Sequence, residues 1–100
     1  MANNKIIGNV IAHIPYGMSN AISRVELVEK MKVSDRKVRD LIAQARRDNV
    51  IINLQNGQGY FQPTEQELHY VEEFISQETA RFKSIAWSLR AAKKFARKSK

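Results

Sequence analysis

The stretch "SDRKVRDLIAQARR", residues 34–47, has the residue spacing of a helix with one apolar face and one basic face. Its apolar residues recur at intervals of three and four, which places them on one side of a helix. The predicted buried stripe consists of Val38, Leu41, Ile42 and Ala45. At about 100° per residue, the opposite side centres on Arg36, Asp40, Ala43 and Arg47, flanked by Lys37, Arg39, Gln44 and Arg46. Such a basic face is either solvated or in contact with a polyanion.

A shorter helix is predicted immediately before this one. Ser23 followed by Glu26 forms a capping box, because the hydroxyl accepts from a first-turn amide while the glutamate reaches back to the cap. We expect this helix to end near Lys32 and the next to be capped by Ser34, after a turn of three residues. Two short helices with such a connection resemble a helix-turn-helix. Residues 6–14 predict one more helix, which ends before the following proline.

The stretch "VIINLQNGQGYFQP", residues 50–63, predicts a β-hairpin after the basic helix. It combines β-branched residues, the turn signal Asn56-Gly57 and an aromatic return strand. With these two residues as the turn, the predicted cross-strand pairs are Ile52 with Phe61 and Leu54 with Gly59. Asn53 and Tyr60 then lie on the other face, where we expect Tyr60 either to pack or to contact a ligand.

The last segment predicts one long helix, because it contains neither glycine nor proline and opens with the capping box of Thr64 and Glu67. Glu78 interrupts its apolar stripe and indicates a bend or break there. We expect the first half to dock on the preceding domain and the second half to project, with a helical hairpin as the alternative. The stripe is heptad-like and consists of Leu68, Val71, Ile75, Phe82, Ile85, Leu89, Ala92 and Ala96.

Charge is segregated along the chain. The net charge of the 100 residues is +7. Residues 1–64 contribute +4, residues 65–80 contribute −5 through five glutamates, and residues 81–100 contribute +8 without an acidic residue. This segregation indicates a polyanionic partner for at least one segment.

Composition excludes several classes of protein. The chain has no cysteine, so disulfides, thiolate nucleophiles and cysteine metal sites are ruled out. No apolar run approaches the ~20 residues that a membrane-spanning helix needs, and we expect no membrane association. His13 and His69 lack acidic partners at ligand spacing, so we predict no enzyme, no metal and no cofactor. The lack of cysteine is compatible with a reducing, cytoplasmic setting.

Residues 22–61, "ISRVELVEKMKVSDRKVRDLIAQARRDNVIINLQNGQGYF", resemble the winged helix-turn-helix of biotin-repressor-type and small phage or bacterial regulators. The resemblance implies a mainly α fold of three helices plus a two-stranded β-hairpin over residues 1–63. A long C-terminal helix with a basic tail, residues 64–100, follows it. At Asn49 the family usually has glycine, and asparagine tolerates the same left-handed conformation. The matching positions are Ser34, Arg36, Val38, Arg39, Ile42, Ala45, Arg46, Ile51, Gly57, Gly59 and Tyr60.

This resemblance implies binding of double-stranded DNA, in transcription regulation or as a phage-type replication or recombination accessory factor. The helix 34–48 would lie in the major groove, where arginine grips guanine edges. Asp40 is expected to align Arg36 or Arg47 through its spacing of four or seven residues, with acceptance from a cytosine amine as the alternative. The candidate DNA-binding residues are Ser34, Arg36, Lys37, Arg39, Gln44, Arg47, Gln55, Asn56 and Gln58.

Two further hypotheses concern the C-terminal helix. Its apolar seam of Phe82, Ile85 and Leu89 predicts a homodimer, because no partner for it is evident within so small a domain. The alternative function is that of a protein–protein adaptor or inhibitor, in which the same helix binds a partner protein. Salt dependence separates DNA binding from this alternative, because phosphate contacts weaken steeply with salt.

Overall fold

The computed structural model describes residues 10–55 and 57–98. Residues 10–12 are helical, and a 3-10 helix follows at Met18–Asn20. A second 3-10 helix, Glu65–Glu67, directly precedes the long C-terminal segment. The four α-helices that lie wholly within the described residues are α1 (Arg24–Met31), α2 (Asp35–Ala45), α3 (Leu68–Ser88) and α4 (Arg90–Lys98).

The predicted pair of short helices, α1 and α2, is confirmed together with its caps. The Ser23 hydroxyl accepts from the Glu26 amide at 3.1 Å, and the Ser34 hydroxyl accepts from the Lys37 amide at 3.1 Å. Lys32 ends α1 in the left-handed conformation, with φ 54°. These local bonds fix where each helix begins and ends, so α2 leaves a three-residue turn with a defined direction.

The end of α2 differs from the expectation for Asn49. Among the described residues other than glycine, only Lys32 has a positive φ, so Asn49 does not adopt the left-handed conformation. Instead, both its backbone amide and its side-chain Nδ2 donate to the Ala45 carbonyl, at 3.0 and 2.9 Å. The side-chain amide thus adds a second hydrogen bond to a carbonyl at the helix end, which a glycine at this position could not do.

The predicted winged helix-turn-helix fold is wrong at the wing. The chain is mainly helical, but the described residues contain no β-strand, so the two-stranded hairpin is absent. Of the two predicted pairs, Ile52 with Phe61 forms as an isolated bridge with hydrogen bonds of 2.9 and 3.0 Å. The pair of Leu54 with Gly59 does not form; the Gly57 amide donates to the Leu54 carbonyl at 2.8 Å and closes a turn one residue earlier than predicted.

The return segment, residues 60–62, bonds to three different parts of the chain. Tyr60 exchanges two hydrogen bonds with Ile22, at 2.9 and 2.7 Å, whereas Phe61 bonds to Ile52. Gln62 donates from its amide to Pro15 and accepts from Gly17, both at 2.8 Å. Successive residues of an extended segment point their backbone groups to opposite sides, so this one pairs on both sides and never builds a ladder with either.

Gly59 makes this arrangement sterically feasible. Its φ is 142°, a conformation that residues with a Cβ rarely adopt. A Cβ at this position would lie 2.1 Å from the Ile22 carbonyl oxygen. The close approach of the two backbones at the Tyr60–Ile22 bridge therefore requires glycine.

Two apolar clusters hold the domain together. The first joins α1 and α2 to the N-terminal segment and the return segment, and Tyr60 is buried in it. The second surrounds Ile52, Leu54 and Phe61, against which the beginning of α3 packs. Buried residues of the first cluster are Val10, Ile14, Ile22, Leu27, Val38, Leu41, Ile42, Ala45, Ile51 and Tyr60.

The docking of α3 is confirmed, but its docking face is rotated from the predicted one. Tyr70, Val71 and Phe74 pack against the second cluster. Leu68 and Ile75, which were expected to dock, are 62% and 57% exposed. Tyr70 contributes a ring contact to this docking face, since its ring meets that of Phe61 edge-on with a centroid separation of 6.0 Å.

The long helix continues through Glu78 and is interrupted at Leu89, so the predicted break at Glu78 is wrong. Glu78 lies one turn from Arg81, whose Nη1 is 3.4 Å from a carboxylate oxygen. Residues 81–98 are exposed throughout, which rules out a helical hairpin within the described chain. No helix in residues 10–55 and 57–98 has both the length and the apolar composition that a membrane crossing requires.

Candidate nucleic-acid interface

Helix α2 presents a basic face to solvent, as its sequence predicts. Its apolar stripe is buried in the first cluster. Burial of this stripe fixes the rotation of the helix about its axis. The basic residues on the other side of the helix are therefore held towards solvent. The exposed candidate residues on this helix are Arg36, Lys37, Arg39, Gln44 and Arg47, with Ser34 exposed at its N-cap.

Asp35 organises the N-terminal end of this face. One of its carboxylate oxygens lies 2.5 Å from Nε of Arg24, and the other lies 3.3 Å from Nε of Arg39. The hydrogen bond to Asp35, and then the charge of this carboxylate, raise the pKa of Arg24. The carboxylate thus joins α1 to α2 and restricts the Arg39 side chain.

The expectation for Asp40 is wrong, because it forms no ion pair within the described residues. Arg36, Lys37 and Arg47 likewise have no carboxylate partner among them. Their charged groups are exposed, and their N–H donors face water. These are the properties of a surface that can exchange water and counter-ions for the acceptor oxygens of a polyanion.

Gln55 and Gln58, two of the three predicted wing contacts, lie beside elements other than α2. Gln55 is exposed, and its backbone amide donates to Oε1 of Gln77 on α3 at 2.8 Å. Gln58 is exposed and lines a shallow pocket with Met18, Ser19, Glu67 and Tyr70, none of which belongs to α2. Asn56, the remaining candidate of this group, lies outside the described residues.

Arg46 is a residue whose environment the sequence does not reveal. It is half-buried, and its Nε donates to the Ile51 carbonyl at 3.0 Å. Its guanidinium carbon lies 4.9 Å from the centroid of the Phe74 ring and 6.0 Å from that of Tyr60. Burial lowers the pKa of this guanidinium, and the nearby charge of Arg81 lowers it further, while Tyr60 and Glu78 oppose the shift.

Arg46 opens onto a cleft of about 340 Å³ between α2 and the long helix α3. Arginines from three helices reach this cleft, yet only the spacing within α2 was visible in the sequence. Two sequence signals for this cleft are Arg24, the basic residue at the start of α1, and Arg81, the first basic residue after the acidic segment 65–80. The lining residues are Arg24, Arg39, Ile42, Arg46, Asn53, Tyr60, Phe74, Gln77, Glu78 and Arg81.

The C-terminal seam is exposed to solvent. Phe82, Ile85 and Leu89 are 72%, 55% and 45% exposed. The guanidinium of Arg90 lies over the Trp87 ring, 5.0 Å from its centroid. The seam therefore does not fold back onto the domain within the described chain.

Comparison of the chain with protein-family models, curated proteins and solved structures gave no match. The resemblance to winged helix-turn-helix regulators consequently stays a prediction from sequence, and the missing hairpin removes part of its basis. The described residues hold no group of three acidic or histidine side chains placed to bind a metal ion. The exposed basic side of α2 and the arginine-lined cleft beside it are the features on which a functional proposal can rest.

Proposed function

We propose that this chain binds double-stranded DNA through α2. The observation that carries the proposal is the exposed side of α2, where Arg36, Lys37 and Arg47 stand without carboxylate partners among the described residues. The apolar residues on the opposite side of the helix are buried in the core. A second helix that follows a tight turn and carries basic residues on its free side suits insertion into a major groove.

Individual residues have different roles in this proposal. Arg36, in the first turn of α2, donates two hydrogen bonds to one guanine edge, since the N-terminal part of such a helix penetrates furthest. Lys37 and Arg47 contact phosphates on the two rims of the groove. Gln44 is placed to read or to bridge to a base edge through its amide. The roles ascribed to Gln55 and Gln58 lose support because the described residues form no hairpin that would carry these two side chains to the groove.

Substitution of Arg36 tests the proposal directly. A duplex is first selected from a randomised pool by binding to the full chain. Arg36→Ala is then expected to cost about 1–3 kcal/mol on the selected duplex and to blur its sequence preference in fluorescence anisotropy titrations. Arg36→Lys is the matched control, because it keeps the charge and loses the planar fork. It should retain affinity for random DNA while losing the preference.

Two results would contradict the proposal. One is an unchanged affinity and preference in both Arg36 variants. The other is an absence of duplex binding by the full chain at low salt, where phosphate contacts are strongest. The biological setting that fits DNA binding is transcription control, or phage-type replication or recombination, in the cytoplasm of a bacterial or phage-infected cell.

Assembly through the C-terminal helix is part of the same proposal. A dimer that uses the seam of Phe82, Ile85 and Leu89 would present two copies of α2 to two half-sites. The exposure of these side chains supports it. Light scattering at tens of micromolar on the full chain and on a truncation ending at Thr79 is the test, since a weak dimer persists at about that concentration. A monomeric mass for the full chain as well as for the truncation would refute it.

A protein–protein adaptor or inhibitor is the second candidate function. It is favoured by Phe82 and Trp87, which are both 72% exposed and lie outside the two apolar clusters of the domain. A partner for this surface would carry an apolar groove with acidic rims, because basic residues flank the two aromatic side chains. Capture of such a partner by the full chain, combined with no duplex binding at low salt, would favour this function over DNA binding.

A further inference from the structure

The cleft between α2 and α3 concentrates positive charge on three helices. Arg24 comes from α1, Arg39 lies on α2 and Arg46 at its C-cap, and Arg81 comes from α3. Two carboxylates, those of Asp35 and Glu78, pair with three of these arginines. Four guanidinium groups therefore face two acidic groups, and the cleft keeps an excess of positive charge.

Arg46 is the arginine in this cleft without a carboxylate partner among the described residues. Its Nε–H is used by the Ile51 carbonyl, and its guanidinium rests on the Phe74 ring. No hydrogen bond within the described chain uses its two terminal NH₂ groups. A half-buried cation without a counter-ion has lost part of its hydration and gained no ion pair in return. An anion in the cleft would restore the missing interaction.

Phosphate is the anion that this geometry fits best. A phosphate group offers acceptor oxygens in several directions, so guanidinium groups on opposite walls can each donate to it. Tyr60 lines the same cleft, and its hydroxyl can add a neutral donor there. A carboxylate offers only two acceptor oxygens, both in one plane, so it reaches fewer of the four guanidinium groups than a phosphate does.

Arg39 connects the cleft with the exposed side of α2. Its side chain is 57% exposed, yet it also lines the cleft. On the helix surface it lies between Arg46 and the central residue Arg36, so a strand of DNA beside the groove passes the cleft mouth. We infer that the arginine cleft holds a backbone phosphate of the duplex that α2 contacts. This inference rests on the proposed DNA binding and names a second anchoring point for it.

Arg81→Gln tests the inference, with Lys83→Gln as the matched control. Both remove one positive charge from the exposed part of α3, but only Arg81 lines the cleft. The readout is the slope of log Kd against log salt, for the selected duplex and for random duplexes. Arg81→Gln should weaken binding several-fold for every sequence and reduce the slope by about one, as the loss of one phosphate contact requires. Lys83→Gln should leave the slope unchanged.

A second variant removes the half-buried guanidinium itself. Arg46→Lys keeps the charge but loses the planar donors, and it should reproduce the sequence-independent weakening of Arg81→Gln. Because Arg46 also supports the Ile51 carbonyl, the thermal midpoint of this variant is measured alongside. A folded Arg46→Lys that binds duplexes as tightly as the unaltered chain would overturn the inference.

The outcomes separate this inference from the proposed function. Equal salt slopes for Arg81→Gln and Lys83→Gln would overturn the phosphate contact in the cleft. If Arg36→Lys still loses the sequence preference, the proposed DNA binding through α2 stays supported. An absence of duplex binding by the full chain would remove both. Inorganic phosphate is titrated in parallel and followed at the Arg46 Nε–H by NMR. Saturation by free phosphate, with duplex binding independent of Arg81, would assign the cleft to a small anion and overturn the anchor.

Discussion

Replacement of Gln77 tests how the long helix is attached to the domain. Its side chain reaches from α3 to the segment after the basic helix, where Oε1 accepts from the Gln55 amide at 2.8 Å and Nε2 donates to the Asn53 carbonyl at 3.1 Å. The side chain thus pairs with the backbone as a neighbouring strand would. Gln77→Ala removes both hydrogen bonds without touching the apolar contacts of Phe74.

The magnitude follows from those two bonds. Each contributes about 0.5–1.5 kcal/mol, and the bond to Gln55 is exposed, which places it at the low end because water replaces it. We expect Gln77→Ala to lower the free energy of unfolding by about 1–2 kcal/mol. For a domain of this size that shifts the thermal midpoint down by roughly 4–16 °C.

Ser76→Ala is the matched control, because Ser76 is the exposed neighbour of Gln77 on the same helix. Both replacements introduce alanine, and their gains in helix propensity differ by less than about 0.5 kcal/mol, so a larger difference between the two variants reports the hydrogen bonds of Gln77. Urea and thermal unfolding followed by circular dichroism measure both. Equal stability of the two variants would show that the hydrogen bonds of Gln77 do not hold α3 on the domain and would refute this reasoning.

Three other predictions concern acid sensitivity, the glycine at the close backbone approach and the projecting helix. Hydrogen bonds from the Met18 amide and then the Thr64 amide lower the pKa of Glu67 below its ordinary 4.5. The ionised carboxylate therefore stabilises the fold above pH 4.5, and this stabilisation is lost as the pH falls through the lowered pKa. In thermal melts at decreasing pH, Glu67→Gln should lose less stability than the unaltered chain. Gly59→Ala should cost about 2 kcal/mol or more in urea unfolding, from the strained φ and the clash with a backbone oxygen. Truncation after residue 80 removes only exposed side chains among the described residues, so calorimetry should find the unfolding free energy changed by less than about 0.5 kcal/mol.

The helices were predictable because their signals are local. Caps such as Ser23 and Ser34 act within one turn, and the apolar stripe of α2 repeats within eleven residues. These interactions form between near neighbours whatever the rest of the chain does. The exposed basic side of α2 follows from the same periodicity, so that part of the candidate site was also predicted.

The missing wing and the cleft depend on contacts between distant residues. The turn signal at residues 56–57 indicates that the chain reverses, but it does not show that Tyr60 bonds to Ile22 rather than to the preceding segment. In the same way, the spacing on α3 gives several equivalent apolar faces. The face that docks is selected by Phe61, which no local pattern relates to Tyr70 or Phe74.

The bonds of residues 60–62 also set the order in which this domain can mature during translation. Gln62 reaches back to Ile14, 48 positions earlier, with a side-chain hydrogen bond of 2.9 Å. A nascent chain that has released α1 and α2 still lacks Tyr60, which completes the core beneath them. Closing such long loops is slow compared with forming a helix. The basic helix therefore emerges from the ribosome before its support exists, and it acquires a fixed orientation only when the return segment has followed.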